Sequence, residues 1–466
     1  MRQAVRENAL CAFMAGVGCA TMAWLGLYGF AWNDYDAEVR PAFDALVHGH
    51  VLEFLRLAPA YGGTLVERAP FALLPGLWGG GQLAVYRMVA LPCLLASGLL
   101  GVWLLARMRA EGRSALARAL TLGLCVANPL TLRALELGHP EELLGACLCV
   151  AAVLLAGGPS AGRSRSLWAG LMLGLAIANK EWALLAVGPV LLALPVRRRL
   201  PCLASAGAVS AAVLAPLALV GSGGFVAGTR AIAQASGTIF QPWQLWWFFG
   251  HHGRLVHGLF GAPKPGYRTA PAWAGAISHP LILLIGLALA AALWLRQRRP
   301  PRAPAVFRLP GRPGANALSE RDALLALALL LLLRSVFDTW DNVYYLLPFV
   351  IALLAWEVRG SADRPPVLAL SSTVLAWISF QWLPLHASAD AQAAFFLAWT
   401  LPLAAMLGLG LFRPGRSEMG ERSWIVWCAR GQELTGGALD RVVRSSWPSP
   451  MTSAKSSIRT PRRPSG

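Results

Sequence analysis

The sequence predicts an all-α polytopic membrane protein with about 12 transmembrane helices. Apolar residues make up 56% of its 466 residues and charged residues only 14%, and the mean hydropathy is +0.52. Apolar runs close to the length at which a helix crosses a bilayer recur along the chain. The candidate spans are 9–31, 83–106, 119–137, 142–158, 167–179, 182–196, 200–221, 280–295, 322–337, 343–357, 366–385 and 391–412.

The distribution of basic residues predicts the orientation of these spans. Most of the 41 Lys and Arg residues lie before the first span, in every second connection, or after the last span. The positive-inside rule places those segments and both termini in the cytoplasm, which leaves 32–82 and 222–279 outside as two long loops. Lysine is nearly absent, as in GC-rich bacterial genomes, so we expect a bacterial plasma membrane.

The chain divides into two predicted parts at residue 412. Residues 1–412 hold all the spans, whereas 413–466 are rich in Ser, Pro and Arg without an apolar pattern. We predict that this tail is disordered and cytoplasmic, with its basic residues near anionic lipid. The net charge is +18, but the basic residues lie in the cytoplasmic connections and the tail. Nucleic acid is therefore not an expected partner.

An acidic segment directly follows the first apolar run. Its carboxylates are Asp34, Asp36 and Glu38. If the first helix begins inside, these acids lie at its negative, C-terminal end, where they do not stabilise it. They are better candidates for chemistry at the outer membrane surface.

Two hairpins, 167–196 and 322–357, are too short for two full spans each, which together need about 40 residues. Their tips are Asn179–Trp182 and Asp338–Asn342. Charged, non-helical backbone at membrane depth is tolerated only where protein buries it or water fills a cavity. The pattern therefore predicts an outward-facing cavity within the membrane, with Lys180, Arg334 and Asp341 at its floor. An ion pair between Lys180 and Asp341 with no further role is the alternative.

A third outer tip reads Gly138-His139-Pro140-Glu141-Glu142. Its structural interpretation is simple, because Pro suits the first position of a helix and two acids in the first turn favour the helix dipole. In the preceding span, Arg133 and Glu136 stand one turn apart and can pair. The functional interpretation places the same side chains in the cavity.

The second outer loop has an aromatic centre, Gln241–Phe249. Trp prefers the headgroup level of a bilayer, so an interfacial helix is the main expectation. Contact of aromatic side chains with a sugar or a lipid chain is the alternative.

These parts are the ones that an enzyme acting on a lipid-linked phosphate substrate needs. A carboxylate can deprotonate an acceptor hydroxyl, and Arg or Lys can bind a phosphate and stabilise its charge as it leaves. The chain has no P-loop or Rossmann fingerprint, which argues against a soluble sugar nucleotide as the donor. A transporter or flippase is the alternative, although the two halves show no similarity and the outer loops are unequal.

The residues also resemble a known family. Asn33-Asp34-Tyr35-Asp36, the short helix expected through Ala42–Leu46 to Gly49, and Ala178–Trp182 are similar to the outer loops of GT-C glycosyltransferases. The chain most resembles polyprenol-phosphate-mannose-dependent mannosyltransferases of the family 87 type. The resemblance implies transfer of mannose or another hexose or pentose, with inversion, from a polyprenyl-phosphate donor to an envelope glycolipid or glycan on the outer face. It also implies that Asp34 is the general base, ahead of Asp36 and Glu38.

The candidate residues then divide by role. Those assigned to the donor phosphate are Lys180, Arg334, Arg133 and His139. Those assigned to the cavity or the acceptor are Glu141, Glu142, Trp182, Trp340, Asp341 and Trp243. No cofactor is required. Some GT-C enzymes use a divalent metal, and Asp34, Asp36 and Glu141 offer oxygen ligands, but no spacing demands such a site. Membrane lipids are expected partners besides donor and acceptor.

Overall fold

The computed structural model describes residues 13–22, 34–157, 162–221, 240–252, 256–257, 263–298, 317–360 and 364–412. The predicted tail 413–466, Asn33 and much of the first predicted span lie outside these ranges. The helices are α1 (Phe13–Met22), α2 (Arg40–Val47), α3 (Val51–Leu57), α4 (Gly63–Leu73), α5 (Gln82–Ala110), α6 (Ala115–Val126), α7 (Pro129–Leu137), α8 (Glu141–Ala156), α9 (Arg163–Asn179), α10 (Val187–Ala193), α11 (Val196–Val220), α12 (Ala272–Arg298), α13 (Glu320–Phe337), α14 (Leu347–Val358), α15 (Val367–Trp377), α16 (Leu383–His386) and α17 (Ala389–Phe412).

Shorter elements connect these helices. The 3₁₀ segments are Leu74–Trp78, Glu181–Ala186, Leu245–Phe249 and Val343–Leu346, and the π-helical segments are Tyr35–Val39 and Ile378–Trp382. Two short strands, β1 (Val256–His257) and β2 (Pro263–Lys264), pair antiparallel with Val256 opposite Lys264. The described chain is otherwise helical or irregular.

Six helical stretches in the described ranges are long and apolar enough to cross a membrane. They are Gln82–Ala110, Ala115–Leu137, Val196–Val220, Ala272–Arg298, Val367–His386 and Ala389–Phe412. Helices also occupy the predicted spans of both short hairpins, but none meets this standard: α9, α10 and α14 are too short, and α13 carries four charged residues, Glu320, Arg321, Asp322 and Arg334. The helical membrane class is therefore confirmed, and the number of about twelve spans stays a prediction.

The centre of the fold consists of α8, α13 and α14. Almost every side chain of α14 is buried, and α8 and α13 are buried over most of their circumference. A helix that is apolar all round belongs in the interior. By contrast, α11 and α12 are apolar but mostly exposed, as expected of helices that face lipid rather than water.

The first outer loop is itself helical. The expected short helix through Ala42–Leu46 is confirmed as α2, and it is followed by Gly49 with a positive φ of 83°. Helix α4 then packs on the end of α9, where Gly63 lies against the backbone of Ala178 so closely that no side chain would fit between them. This contact places the first outer loop directly beside the tip of the hairpin that carries Lys180.

The predicted span 119–137 is broken. Helix α6 ends at Val126, and α7 begins again with Pro129 at its first turn and Asn128 as its N-cap. The Asn128 side chain accepts a hydrogen bond from the Leu130 amide at 2.9 Å. Pro at the first turn and Asn at the cap are strong start signals for a helix, and the interruption follows from them.

The aromatic centre of the second outer loop is packed into the protein. Trp243 donates its indole N–H to the Ser379 carbonyl at 2.9 Å, and Trp247 donates to the Asp390 carboxylate at 2.8 Å. Both Trp side chains are buried. The expectation of an interfacial helix is therefore wrong for these two residues, because bonded indoles in a protein core do not lie along a lipid surface.

Candidate active site

The turn between α7 and α8 positions three polar side chains. Gly138 ends α7 with a left-handed φ of 94°, a conformation that glycine adopts without strain. Pro140 follows, and α8 starts with Glu141 and Glu142. The positive end of the α8 dipole favours both carboxylates, but this alone does not explain why they are buried, with exposures of 0%.

The tip after α9 reaches the same place. The chain becomes extended at Lys180 and continues as a 3₁₀ helix from Glu181. Asn179 donates its side-chain amide to the Glu141 carbonyl at 2.9 Å, which ties the end of α9 to the start of α8. Gly145, one turn into α8, lets the Asn179 amide and the Trp182 ring approach, since an added Cβ would meet them at 2.8 and 2.9 Å.

The charged side chains brought together here form what we call the buried ion network. Its members are Arg68, His139, Glu141, Glu142, Lys180 and Arg334. Glu141 lies 2.8 Å from His139 Nδ1, 3.3 Å from Lys180 Nζ and 3.6 Å from the Arg68 guanidinium. One carboxylate thus contacts three cationic or protonatable groups.

The second carboxylate extends the network toward the other hairpin. Glu142 lies 3.4 Å from the Arg334 guanidinium and 3.7 Å from Lys180 Nζ. The Arg334 guanidinium also lies over the rings of Trp182, at 5.1 Å, and Tyr345, at 4.4 Å. These cation–π contacts hold the guanidinium in place. The tip Asn179–Trp182, the third outer tip and the end of α13 therefore meet, and the outward-facing cavity stays a prediction.

Asp34 stands at the edge of the network. Its carboxylate lies 3.1 Å from His139 Nε2, and its side chain is 32% exposed. The other two acids of the first outer loop point to other partners: Asp36 pairs with Arg40 at 2.9 Å, and Glu38 accepts a hydrogen bond from the Tyr61 hydroxyl. Of these three acids, only Asp34 contacts a member of the buried ion network in the described structure.

His139 carries a positive charge in this setting. Burial by itself would lower its pKa, but the Glu141 carboxylate and the hydrogen bonds to Asp34 and Glu141 outweigh burial and raise the pKa to about 9. Three permanent cations and a protonated imidazole then face two fully buried carboxylates. Counted over its six members, the network is net positive, which favours an anionic ligand; the acids Asp34, Glu181 and Asp338 lie around it.

The remaining predicted site residues are more scattered. Arg133 pairs with Glu136, as the structural interpretation expects, rather than with a described member of the network. The Lys180–Asp341 ion pair does not form in the described structure, because Lys180 turns to Glu141 and Glu142. Asp341 is buried in the neighbouring loop, Trp340 is half-buried there, and Trp243 packs on Phe380.

Two residues of the site escape prediction from the sequence. Arg68 is fully buried on α4 and donates to the Thr64 carbonyl besides pairing with Glu141. Tyr61 places its ring 4.0 Å from Lys180 Nζ while its hydroxyl donates to Glu38. Arg68 follows Glu67 in the otherwise mostly apolar stretch Thr64–Leu73, and charges within such a stretch were the available signal. The sequence around Tyr61 gave no comparable signal.

No group of three or more His, Cys, Asp or Glu side chains in the described ranges is placed to hold a metal ion. Asp34 and Glu141 approach the same imidazole, and Asp36 is turned to Arg40. The oxygen ligands suggested for a divalent metal are therefore not gathered, and metal dependence stays open to direct test.

Comparison with known proteins supplies the family. No curated protein matches the chain. Residues 63–309, slightly more than half of the chain, match Glycosyltransferase family 87. The matched stretch contains five members of the buried ion network, Arg68 to Lys180, whereas Asp34 and Arg334 lie outside it. Apolar helices of membrane-spanning length and this match agree: the chain belongs to glycosyltransferase family 87 and is a membrane glycosyltransferase.

Proposed function

We propose that the protein transfers a sugar, mannose or another hexose or pentose, from a polyprenyl-phosphate donor to an envelope glycolipid or glycan on the outer face of the bacterial plasma membrane. The observation that carries this proposal is the position of Asp34. It is a partly exposed carboxylate hydrogen-bonded to His139, a member of the buried ion network.

Asp34 is the general base in this proposal. One of its oxygens is engaged by His139, which orients the carboxylate, and its partial exposure leaves room for an acceptor hydroxyl. Asp36 and Glu38 are held by Arg40 and Tyr61. A base must lie within hydrogen-bond reach of the proton that it removes, and Asp34 is the acid nearest to the groups suited to the donor phosphate.

Lys180, Arg334 and His139 are the groups that would face this phosphate. All three are nearly buried, and charge interactions are stronger where water is excluded. The two glutamates neutralise only part of their charge. The phosphate that leaves carries one more negative charge than the phosphodiester of the donor, so this surplus stabilises the product side of the reaction more than the ground state.

The reaction then proceeds with balanced bonds. Asp34 takes the proton from the acceptor hydroxyl, whose oxygen forms a bond to the anomeric carbon of the donor sugar. The bond from that carbon to the phosphate oxygen breaks, and the polyprenyl phosphate leaves with its electron pair. Attack from the face opposite the leaving group inverts the anomeric configuration.

The membrane setting supports a lipid-linked donor. Helices α11 and α12 expose apolar side chains over most of their surface, so a polyprenyl chain has lipid beside the helices that flank the site. The sequence contains no nucleotide-binding fingerprint. Trp243 and Trp340 remain proposed contacts of the acceptor side.

The test compares the full-length protein with Asp34→Asn and, as the matched control, Asp36→Asn. Cells lacking the gene express each form, and envelope glycans are compared by mass spectrometry. Membranes are then supplied with polyprenyl-phosphate mannose, and cleavage of the donor is followed. We expect Asp34→Asn to lower transfer about 10²- to 10⁴-fold, the usual contribution of a general base, at normal protein levels, while Asp36→Asn retains transfer.

Unchanged glycans in Asp34→Asn would remove Asp34 from the mechanism. A transporter or flippase, the other class that the sequence allows, gives a different result. In that case the wild-type protein leaves the donor uncleaved in membranes, and the lipid-linked sugar accumulates on one side of the bilayer.

A further inference from the structure

The loop between α13 and the 3₁₀ segment Val343–Leu346 contains a carboxyl group that the reaction above does not use. Asp341 is 1% exposed. Its Oδ1 accepts a hydrogen bond from the Asn342 amide at 2.9 Å, whereas its Oδ2 has no hydrogen-bond partner within the described structure. Buried polar groups nearly always have partners, so this oxygen requires an explanation.

The neighbouring charges do not supply a partner. Asp338, in the same loop, lies 3.6 Å from His279, and Arg334 is directed to Glu142. Burial, followed by the negative charge of Asp338, raises the pKa of Asp341 well above its ordinary value. Burial thus favours the neutral carboxyl group, which can donate as well as accept a hydrogen bond.

Two further polar groups near this carboxyl group are also without hydrogen-bond partners among the described residues. The hydroxyl of Thr339 belongs to the same loop, and the indole N–H of Trp182 belongs to the ring that Arg334 covers. Arg334 is close enough to Asp341 for their charges to interact. Trp182 and Asp341 therefore both lie close to the Arg334 guanidinium, and Thr339 belongs to the same loop as Asp341.

The loop that carries Asp341 is held rigidly. Gln244 donates its side-chain amide to the Thr339 carbonyl at 2.8 Å, and Asp338 and Asn342 each accept a hydrogen bond from a backbone amide of the loop. A fixed carboxyl group discriminates between ligands better than a mobile one, because it does not move to satisfy the wrong partner. The arrangement suits a ligand with several hydroxyl groups.

We propose that Asp341, with Thr339 and Trp182 beside it, binds hydroxyl groups of the sugar on the donor and thereby selects which sugar is transferred. This inference rests on the proposed function. It adds a specificity-determining residue that lies apart from the base and beside the cation that would hold the donor phosphate. A site built to hydrogen-bond a hydroxyl rejects a ligand that lacks it, because the polar groups are then left unpaired.

The test measures affinity in lipid nanodiscs for two probes, polyprenyl-phosphate mannose and bare polyprenyl phosphate, with glucose- and arabinose-loaded lipids for comparison. The variants are Asp341→Ala and the matched control Asp338→Ala. Each removes one side-chain bond to a backbone amide of the same loop. Asp338→Ala also removes the contact with His279, so damage to the loop is at least as large in the control. Only Asp341 has the unpartnered oxygen.

We expect the wild-type protein to bind one of the sugar-loaded lipids more tightly than bare polyprenyl phosphate. Asp341→Ala should reduce that preference about tenfold, the effect of one or two hydrogen bonds, and leave binding of the bare lipid unchanged. Asp338→Ala should keep the preference. A preference that survives in Asp341→Ala, or an equal loss for both probes, overturns the inference and leaves the proposed function intact. A wild-type protein that binds none of the lipids instead refutes the polyprenyl-phosphate donor, and the inference with it.

Discussion

Replacing Gly63 by Ala tests how the first outer loop is fitted to the site. An added Cβ would fall on the Ala178 carbonyl, far inside the 3.0 Å that real Cβ contacts keep. An added Cβ would lie 2.0 Å from the Ala178 oxygen, so helices α4 and α9 would have to separate by about 1.4 Å to restore an ordinary contact. The two nearest atoms are the carbonyl oxygen and carbon of Ala178. Because these are backbone atoms, moving a side chain does not relieve the clash.

The consequence can be followed to the buried ion network. Arg68 lies on the same helix as Gly63, and its guanidinium is already 3.6 Å from Glu141. A shift of that size carries the pair beyond ion-pair distance and leaves the Arg68 charge buried without this partner, whereas Glu141 keeps His139 and Lys180. Overpacking alone costs about 1–3 kcal/mol, and a broken buried pair costs about 3–5 kcal/mol, so we expect a loss of about 3 kcal/mol or more.

The assay is the free energy of unfolding in detergent micelles, together with sugar transfer in membranes. Gly76→Ala is the matched control, because it lies in the same outer loop and an added Cβ there meets nothing within 4 Å. We expect this control to change stability by less than about 1 kcal/mol. If Gly63→Ala is as stable and active as Gly76→Ala, the argument that close packing of α4 on α9 builds the site is refuted.

Two further predictions concern the buried charges. Because the folded-state pKa of His139 is raised to about 9, its charge contributes stability that is complete below its unfolded pKa, about 6.5, and is lost as the pH rises through 9. The unfolding midpoint of the wild-type protein should therefore fall more between pH 7 and 10 than that of His139→Gln; parallel curves would contradict this. Arg334→Met should destabilise the protein by up to about 3–5 kcal/mol, because Glu142 keeps only its longer contact with Lys180. Adding Glu142→Gln should recover part of that loss. Additive losses in the micelle unfolding assay would show that the two side chains act independently.

Several features of the fold were predictable because they depend on neighbours in the sequence. Apolar runs predicted the helices, and the charged breaks at Asn179–Trp182 and Asp338–Asn342 predicted where two hairpins turn. The helix that follows the acidic segment was also expected, and it forms as α2. In each case, the local sequence is sufficient to predict the element. A charged or helix-capping residue ends an apolar helix regardless of how the rest of the chain packs.

The pairing of charges was less predictable. Lys180 was expected to face Asp341 if it had a structural partner, yet it contacts Glu141 and Glu142. Arg68 was overlooked although it contacts the centre of the site. A charged residue in the sequence indicates only that its side chain needs a partner of opposite charge. Several such partners were predicted at a similar depth in the membrane.

The sequence by itself determined the membrane class, the helical hairpins and a short set of acids and bases at one end of the helices, because hydropathy and charge act locally along the chain. Only the tertiary structure decided which of these side chains meet. Asp34 reaches His139 across 105 residues, and Arg334 reaches Glu142 across 192. Such contacts depend on how closely helices pack, as at Gly63 and Gly145, and on the high cost of burying a charge without a partner.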